Sequence, residues 1–243
     1  MSYKHMCRLA IALAVLVSLL STSSVAQQTK ENTAIKPVPR SGGWMKRHES
    51  FNARVAKGDV DLLMIGDSIT HGWEGSGRKV WEEFYGKRNA VNLGISGDRT
   101  QHVLWRLDNG NIEGISPKLA VILIGTNNCG SNTPGEIAEG VEAIVKRLRT
   151  KLPKMKVLVL AIFPRGEDDS HRGRQVNMKA NELIAKLADG QMVHFLSIND
   201  KFLTKDRILT REVMPDLLHP REKGYRIWAE AMEPTVAKLM GEK

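Results

Sequence analysis

Asp61-Leu62-Leu63-Met64-Ile65-Gly66-Asp67-Ser68-Ile69-Thr70 is the stretch on which the fold turns. Residues 60–65 are almost wholly apolar, the pattern of a strand buried on both faces, and Gly66-Asp67-Ser68 ends that run with turn chemistry. A strand that hands over to a helix here leaves Ser68 at the carboxyl edge of a sheet, where open α/β folds form their ligand crevices. A serine hydroxyl is a weak nucleophile until a base stands within hydrogen-bond reach, itself oriented by a third group.

Near the other end of the chain, Asp216-Leu217-Leu218-His219-Pro220 supplies both partners. Read as one helical turn, the three-residue spacing puts the two side chains on one face, so that Asp216 takes the imidazole Nδ1–H while Nε2 faces Ser68. Alone, the same residues read as a capping arrangement before a helix that starts around Pro220. Two further strand ends argue for the chemical reading: Val91-Asn92-Leu93-Gly94-Ile95-Ser96-Gly97-Asp98 and Val121-Ile122-Leu123-Ile124-Gly125-Thr126-Asn127-Asn128. Acyl transfer needs preorganised donors around a tetrahedral oxyanion, and the N–H groups of Ser68 and Gly94 with the Asn127 amide form a suitable set. A tight turn at Gly94 and an Asx turn at Asn127 are the plainer alternatives.

Other residues invite weaker readings. Asp67 is expected to cap the following helix, and His71 to sit on the surface. Trp105 falls in a core-facing pattern, whereas Trp44 or Trp73 could line the mouth of the site. Arg99 and Arg165 are candidates for a substrate anion or for structural ion pairs. His48, His102, His171 and His194 lack ligand-like spacing with acids or cysteines, so neither metal nor other cofactor is expected.

Outward from these blocks, apolar β-branched runs at 60–65, 90–93, 119–124, 157–163 and 193–198 alternate with helical patterns, notably 135–151 and 175–187. That alternation predicts an α/β fold, a parallel sheet covered by helices on both faces. A last helix should run from Arg221 past Trp228 and Met232, kinked or divided at Pro234. Before the catalytic domain, taken as residues 59–241, residues 27–58 read as a polar, flexible lead-in to about Arg40 and then a helix over 44–57.

Residues 1–26 carry Lys4 and Arg8, an uncharged apolar stretch over 9–20, and Ser24-Val25-Ala26. This is the layout of a secretory signal peptide cut near Ala26, placing the protein outside the cytoplasm, secreted or periplasmic, with no stable membrane insertion. Cutting removes Cys7 and leaves Cys129 as the single cysteine, so no internal disulfide can form. Loss of Lys4 and Arg8 takes the formal charge from +9 to +7, a surplus that suits acidic partners; no nucleic-acid motif accompanies it. The oligomeric state stays open, a dimer included.

Taken together, Ser68, Gly94, Asn127 and the Asp216/His219 pair resemble the four blocks of the GDSL, or SGNH, hydrolase superfamily. Asn92–Asp98, His102-Val103-Leu104-Trp105-Arg106-Leu107, Gly125-Thr126-Asn127-Asn128 and Phe163-Pro164-Arg165-Gly166 look more narrowly like the catalytic subunits of platelet-activating-factor acetylhydrolase. The resemblance implies a flavodoxin-like three-layer α/β/α sandwich with five parallel strands in the order 2-1-3-4-5. It implies Ser68 as nucleophile, Gly94 and Asn127 as oxyanion donors, and Asp216 and His219 as acid and base. The expected activity is removal of a short acyl group, acetyl above all, from a small-molecule or glycan ester, with secretion pointing to an acetylated carbohydrate. A phospholipid acetylhydrolase or general lipase is the alternative, and a non-catalytic carbohydrate-binding protein on the same fold is the alternative of another class.

Overall fold

The computed structural model describes residues 31–242. The expected signal peptide and its cleavage point lie outside the described residues. Helix α1 spans Gly43–Val55, and β1, Leu62–Gly66, runs straight into the one-turn helix α2, Ser68–His71. There follow α3 (Arg78–Phe84), β2 (Ala90–Gly94), α4 (Thr100–Asp108), β3 (Leu119–Leu123), α5 (Pro134–Lys151), β4 (Lys156–Leu160), α6 (Arg172–Ile184), β5 (Val193–Leu196) and α7 (Glu222–Met240). The strands form one parallel sheet in the order β2-β1-β3-β4-β5, as the resemblance implied.

Two-residue periodicity splits each strand between two cores. Leu63, Ile65, Val91, Leu93, Ala120, Ile122, Val157 and Val159 face α1, α4, α5 and α6, while Leu62, Met64, Leu119, Val121, Leu158 and Leu160 face α3 and α7. Both faces are therefore covered, which is why the strands read as continuous apolar runs and not as alternation. The start of α5 is well signalled locally: Thr133 caps it by accepting from Glu136 N–H, the Glu136 carboxylate accepts from Thr133 N–H, and Pro134 fills the first turn.

Some expectations need correction. Residues 32–40 are not a flexible lead-in: Ala34 is buried, its carbonyl accepts from Thr100 Oγ1 at 2.8 Å, and Asn132 Nδ2 donates to Thr33 Oγ1 at 3.0 Å. The polar composition of this segment supplies those side-chain bonds, so it packs without a core of its own. Pro234 does not divide α7, which continues through it to Met240. Helix α6 starts earlier than its apolar periodicity suggests because the His171 side chain accepts from Arg174 N–H and caps it.

Candidate functional site

Strands β1, β2 and β3 are neighbours, and the loops leaving their carboxyl ends carry Ser68, the 94–98 segment and Asn127. Ser68 opens α2 and is half-buried; its Oγ lies 2.9 Å from His219 Nε2. His219 Nδ1 in turn lies 2.6 Å from Asp216 Oδ2. Asp216 and His219 do not share a helical turn as expected. They stand on an irregular turn ahead of α7, with Leu217 in the left-handed region at φ 59°. The Asp216 carboxylate holds that turn, because Oδ1 accepts from the N–H groups of Leu218 at 3.1 Å and His219 at 2.7 Å, while Oδ2 is left to the imidazole. The capping reading is not met, because α7 begins at Glu222 behind Arg221 with no side-chain cap; Asp216 Oδ1 instead closes the local turn, while Oδ2 meets the imidazole. Burial tends to raise the Asp216 pKa, but the hydrogen bonds from His219 and Leu218 outweigh it and keep the group below the usual carboxylate range.

Asp67 caps α2 as expected, its Oδ1 accepting from Ile69 N–H at 2.9 Å. It is only 1% exposed, and burial pushes its pKa up to about 7 despite the N–H bonds that pull the other way. Its second oxygen reaches the site: Asn127 Nδ2 donates to Asp67 Oδ2 at 3.3 Å and to the Asp98 carbonyl at 2.8 Å. The Asn127 amide is therefore held by the residue preceding Ser68 and by the loop after β2. Arg165 fixes the same loop from the other side, donating from Nη1 to the Thr126 carbonyl, to Thr126 Oγ1 and to Cys129 Sγ. It braces the loop and makes no ion pair among the described residues; Arg99 only precedes α4, where its N–H donates to His102 Nδ1.

Gly94 needs a correction. It must be glycine, because a Cβ there would stand 2.2 Å from His71 N, and β2 packs directly on the backbone of α2. Its N–H, however, is already donated to Asn92 Oδ1 at 2.8 Å. Three residues on, Gly97 adopts φ 77°, and neither its N–H nor that of Ser68 has a hydrogen-bond partner among the described residues. Sequence reasoning picked the glycine closest to the strand end and passed over the one in the turn.

Asp98 and Arg106 form an ion pair with no exposed surface, 2.9 Å from Nε to Oδ2. Trp44 Nε1 donates to the other Asp98 oxygen at 2.6 Å, and Arg106 Nη1 donates to Asn111 Oδ1. Trp44 is thus a buried brace of the 94–98 loop, not a residue of the site's mouth. Trp73 is buried too, against Tyr225 and Trp228, while Trp105 is partly buried against the core. The polar tether between Asp98 and α4 went unseen in the sequence; the available signal was Arg106 lying among the core positions Val103, Leu104 and Leu107.

Ser68 and His219 line a pocket of about 530 Å³ with His71, Glu74, Ser76 and Ser96. His71 was expected on the surface. It lies three residues after Ser68, and on a helix that spacing puts both side chains on one face. Its Nδ1 is 3.0 Å from Ser96 Oγ, its Nε2 is 4.0 Å from Glu74, and burial followed by the nearby Arg47 lowers its pKa. Among the described residues no three His, Cys, Asp or Glu side chains are arranged to hold a metal ion, and no helix is long and apolar enough to cross a membrane.

Comparison with known proteins gives a consistent result. Residues 64–227 match the model of the GDSL-like Lipase/Acylhydrolase family. Platelet-activating factor acetylhydrolase IB subunit alpha1 of Homo sapiens is 36% identical over 222 residues, which span 88% of this chain and 93% of the human protein. Among solved structures, a GDSL-like lipase from Bacteroides thetaiotaomicron superposes with a TM-score of 0.65 at 22% identity, over 79% of this chain and 97% of its own. A carbohydrate acetylesterase family member from Sinorhizobium meliloti superposes with a TM-score of 0.59 at 17% identity, over 75% and 99%. These two are likenesses of fold, whereas the family match and the human relative bear on descent. The chain belongs to the GDSL-like lipase/acylhydrolase family.

Proposed function

We propose that the protein is an exported serine esterase that removes acetyl groups from carbohydrate esters through an acyl-serine intermediate. The observation that carries the reading is the continuous hydrogen-bonded series from Asp216 Oδ2 through His219 to Ser68 Oγ, 2.6 and 2.9 Å long. In this reading His219 Nε2 takes the hydroxyl proton as Ser68 attacks the ester carbonyl, and Asp216 holds the tautomer that leaves Nε2 free and stabilises the imidazolium. The unpartnered N–H groups of Ser68 and Gly97 receive the oxyanion. The Asn127 amide joins them by giving up its longer bond, the one to Asp67, as negative charge develops. His219 then protonates the leaving alcohol and activates the water that releases acetate.

An acetyl group is supported by the 36% identity to a platelet-activating factor acetylhydrolase subunit. A sugar as the alcohol is supported by the hydroxyl, imidazole and carboxylate groups lining the pocket, and by the expected signal peptide. The same human relative favours a second reading, an acetylated phospholipid as substrate. Acetate release from acetylated oligosaccharides, from a 1-alkyl-2-acetyl phospholipid and from aryl esters of acetate, butyrate and octanoate separates the readings. The expected result is turnover of acetylated sugars and aryl acetate, with kcat/KM falling steeply toward octanoate. Turnover of the phospholipid alone would transfer the assignment to the second reading, and a rise toward octanoate would make the protein a lipase.

A further inference from the structure

Beside the Ser68 pocket a second cavity, about 550 Å³, opens along the outer edge of β2 between α1 and α3. β2 is the first strand of the sheet, so this edge carries no strand partner. Arg47, Phe51 and Arg54 face the cavity from one stripe of α1, and Arg78 and Trp81 face it from α3. Glu74 lines both cavities and stands where they meet.

The junction is held at several points. Arg47 donates to both Glu74 oxygens, at 3.0 and 2.7 Å, and through Nε to the Gly94 carbonyl at 2.8 Å, with its guanidinium 4.8 Å from the centre of the Phe51 ring. Arg54 donates only to the carbonyls of Gly58 and Asp59 and pairs with no carboxylate among the described residues. Trp81 is half-buried, its ring set against Trp73 and Tyr85 at 5.9 and 5.3 Å between centroids. A floor of fixed guanidinium and carboxylate groups with one partly exposed indole suits a polyhydroxylated chain. Its hydroxyls meet donors and acceptors that are already ordered, and the C–H face of a sugar ring packs on the indole. An alkyl chain in the same groove would strip water from those charges and return no hydrogen bonds.

We infer that the groove between α1 and α3 is a glycan-binding subsite, continuous past Glu74 with the Ser68 pocket, that holds sugar units beyond the acetylated one. The inference rests on the acetylated-carbohydrate reading of the Ser68 site. It is tested with O-acetylated xylo- and cello-oligosaccharides of one to four units. The quantity read is the ratio of kcat/KM for the tetramer over the monomer, in which any loss of active enzyme cancels. The wild-type ratio for at least one series is expected to be about 10 or more, equivalent to about 1.4 kcal/mol of added transition-state binding. It should fall toward 1 in Trp81→Ala and in the milder Arg54→Gln, which leaves the aromatic cluster intact. A wild-type ratio near 1 in every series overturns the groove while the esterase keeps its sugar substrate. A high ratio untouched by both variants overturns it as well. If no acetylated sugar of any length is hydrolysed while aryl acetate is, the carbohydrate reading fails and the subsite falls with it.

Discussion

Asp67, next to Ser68 in the chain, and Asp216, bonded to the His219 that faces Ser68, are pushed in opposite directions by their surroundings. Asp216 stays ionised because three hydrogen bonds favour its charged form. Its Oδ1 serves the turn and its Oδ2 the imidazole, so substitutions should separate the two duties. Asp216→Asn keeps an oxygen for the turn and should retain its Tm while kcat falls roughly 10³- to 10⁴-fold; Asp216→Ala should lose the Tm as well. Near-normal turnover in Asp216→Asn would show that Ser68 and His219 work as a dyad. Removing the Asn127 amide should cost about 10²- to 10³-fold in kcat, the range for one oxyanion donor. Asp67 titrates near pH 7 in the folded chain, against 3.8 when unfolded. The folded state holds that proton more tightly, so the stability it contributes is full below about pH 4, is lost as pH rises toward 7 and is flat above. Urea unfolding between pH 4 and 8 should show this slope in the wild type and lose it in Asp67→Asn, whose amide resembles the protonated acid in shape. Identical slopes in the two proteins would rule out Asp67 as the titrating group.

At the scale of elements, α4 is the tie between the core and the loop that carries Gly97 and Asp98. Arg106 on α4 and Asp98 on the loop are fully buried, and each charge is tolerated only because the other is present. Arg106→Met should therefore cost about 3–5 kcal/mol in chemical denaturation, the range for breaking a buried pair. The double variant Asp98→Asn/Arg106→Met should recover part of that loss, since most of the cost is the stranded carboxylate. A single-variant cost under about 1 kcal/mol would contradict the buried-pair account. This pair also marks where the sequence stops being legible. Five strands, their burial and the capped start of α5 are local signals, written in apolar runs and in Thr133-Pro134-Gly135-Glu136. Ser68 and Asn127 stand out because each follows an apolar strand run, and the Asp216/His219 pair because of its spacing; the structure brings Ser68, His219 and Asp216 into one hydrogen-bonded series. The contacts Asp98–Arg106, Asn92–Gly94 and Asp67–Asn127 are not legible, because they depend on which loop tips the sheet order brings side by side. His71 is legible from its three-residue spacing from Ser68, which on a helix places both side chains on one face.

For the molecule as a whole, the segment before α1 ties α4 and α5 to the loop after β2. Residues 32–40 cross α4 and α5 and end at the site: Val38 N–H donates to the Gln101 carbonyl, and Arg40 Nη1 donates to the Ser96 carbonyl at 2.9 Å and lies 3.5 Å from Asp98. Ser96 lines the Ser68 pocket, and the Asp98 carbonyl positions Asn127. The segment is thus coupled to the site through two residues of one loop, although its composition reads as a linker. A chain beginning at Ser41 would give up the bonds to Thr100, Gln101, Asn132 and Ser96, each worth about 1 kcal/mol net. In a domain of this size each kcal/mol moves the Tm by about 2–4 °C. Compared with a chain beginning at Gln27, the shortened protein should melt on the order of 10 °C lower. Its kcat on aryl acetate should fall at temperatures where it is still folded, because the 96–98 loop loses its outer support. An unchanged Tm would mean that the segment adds nothing to the fold, and an unchanged kcat with a lowered Tm would confine its role to stability.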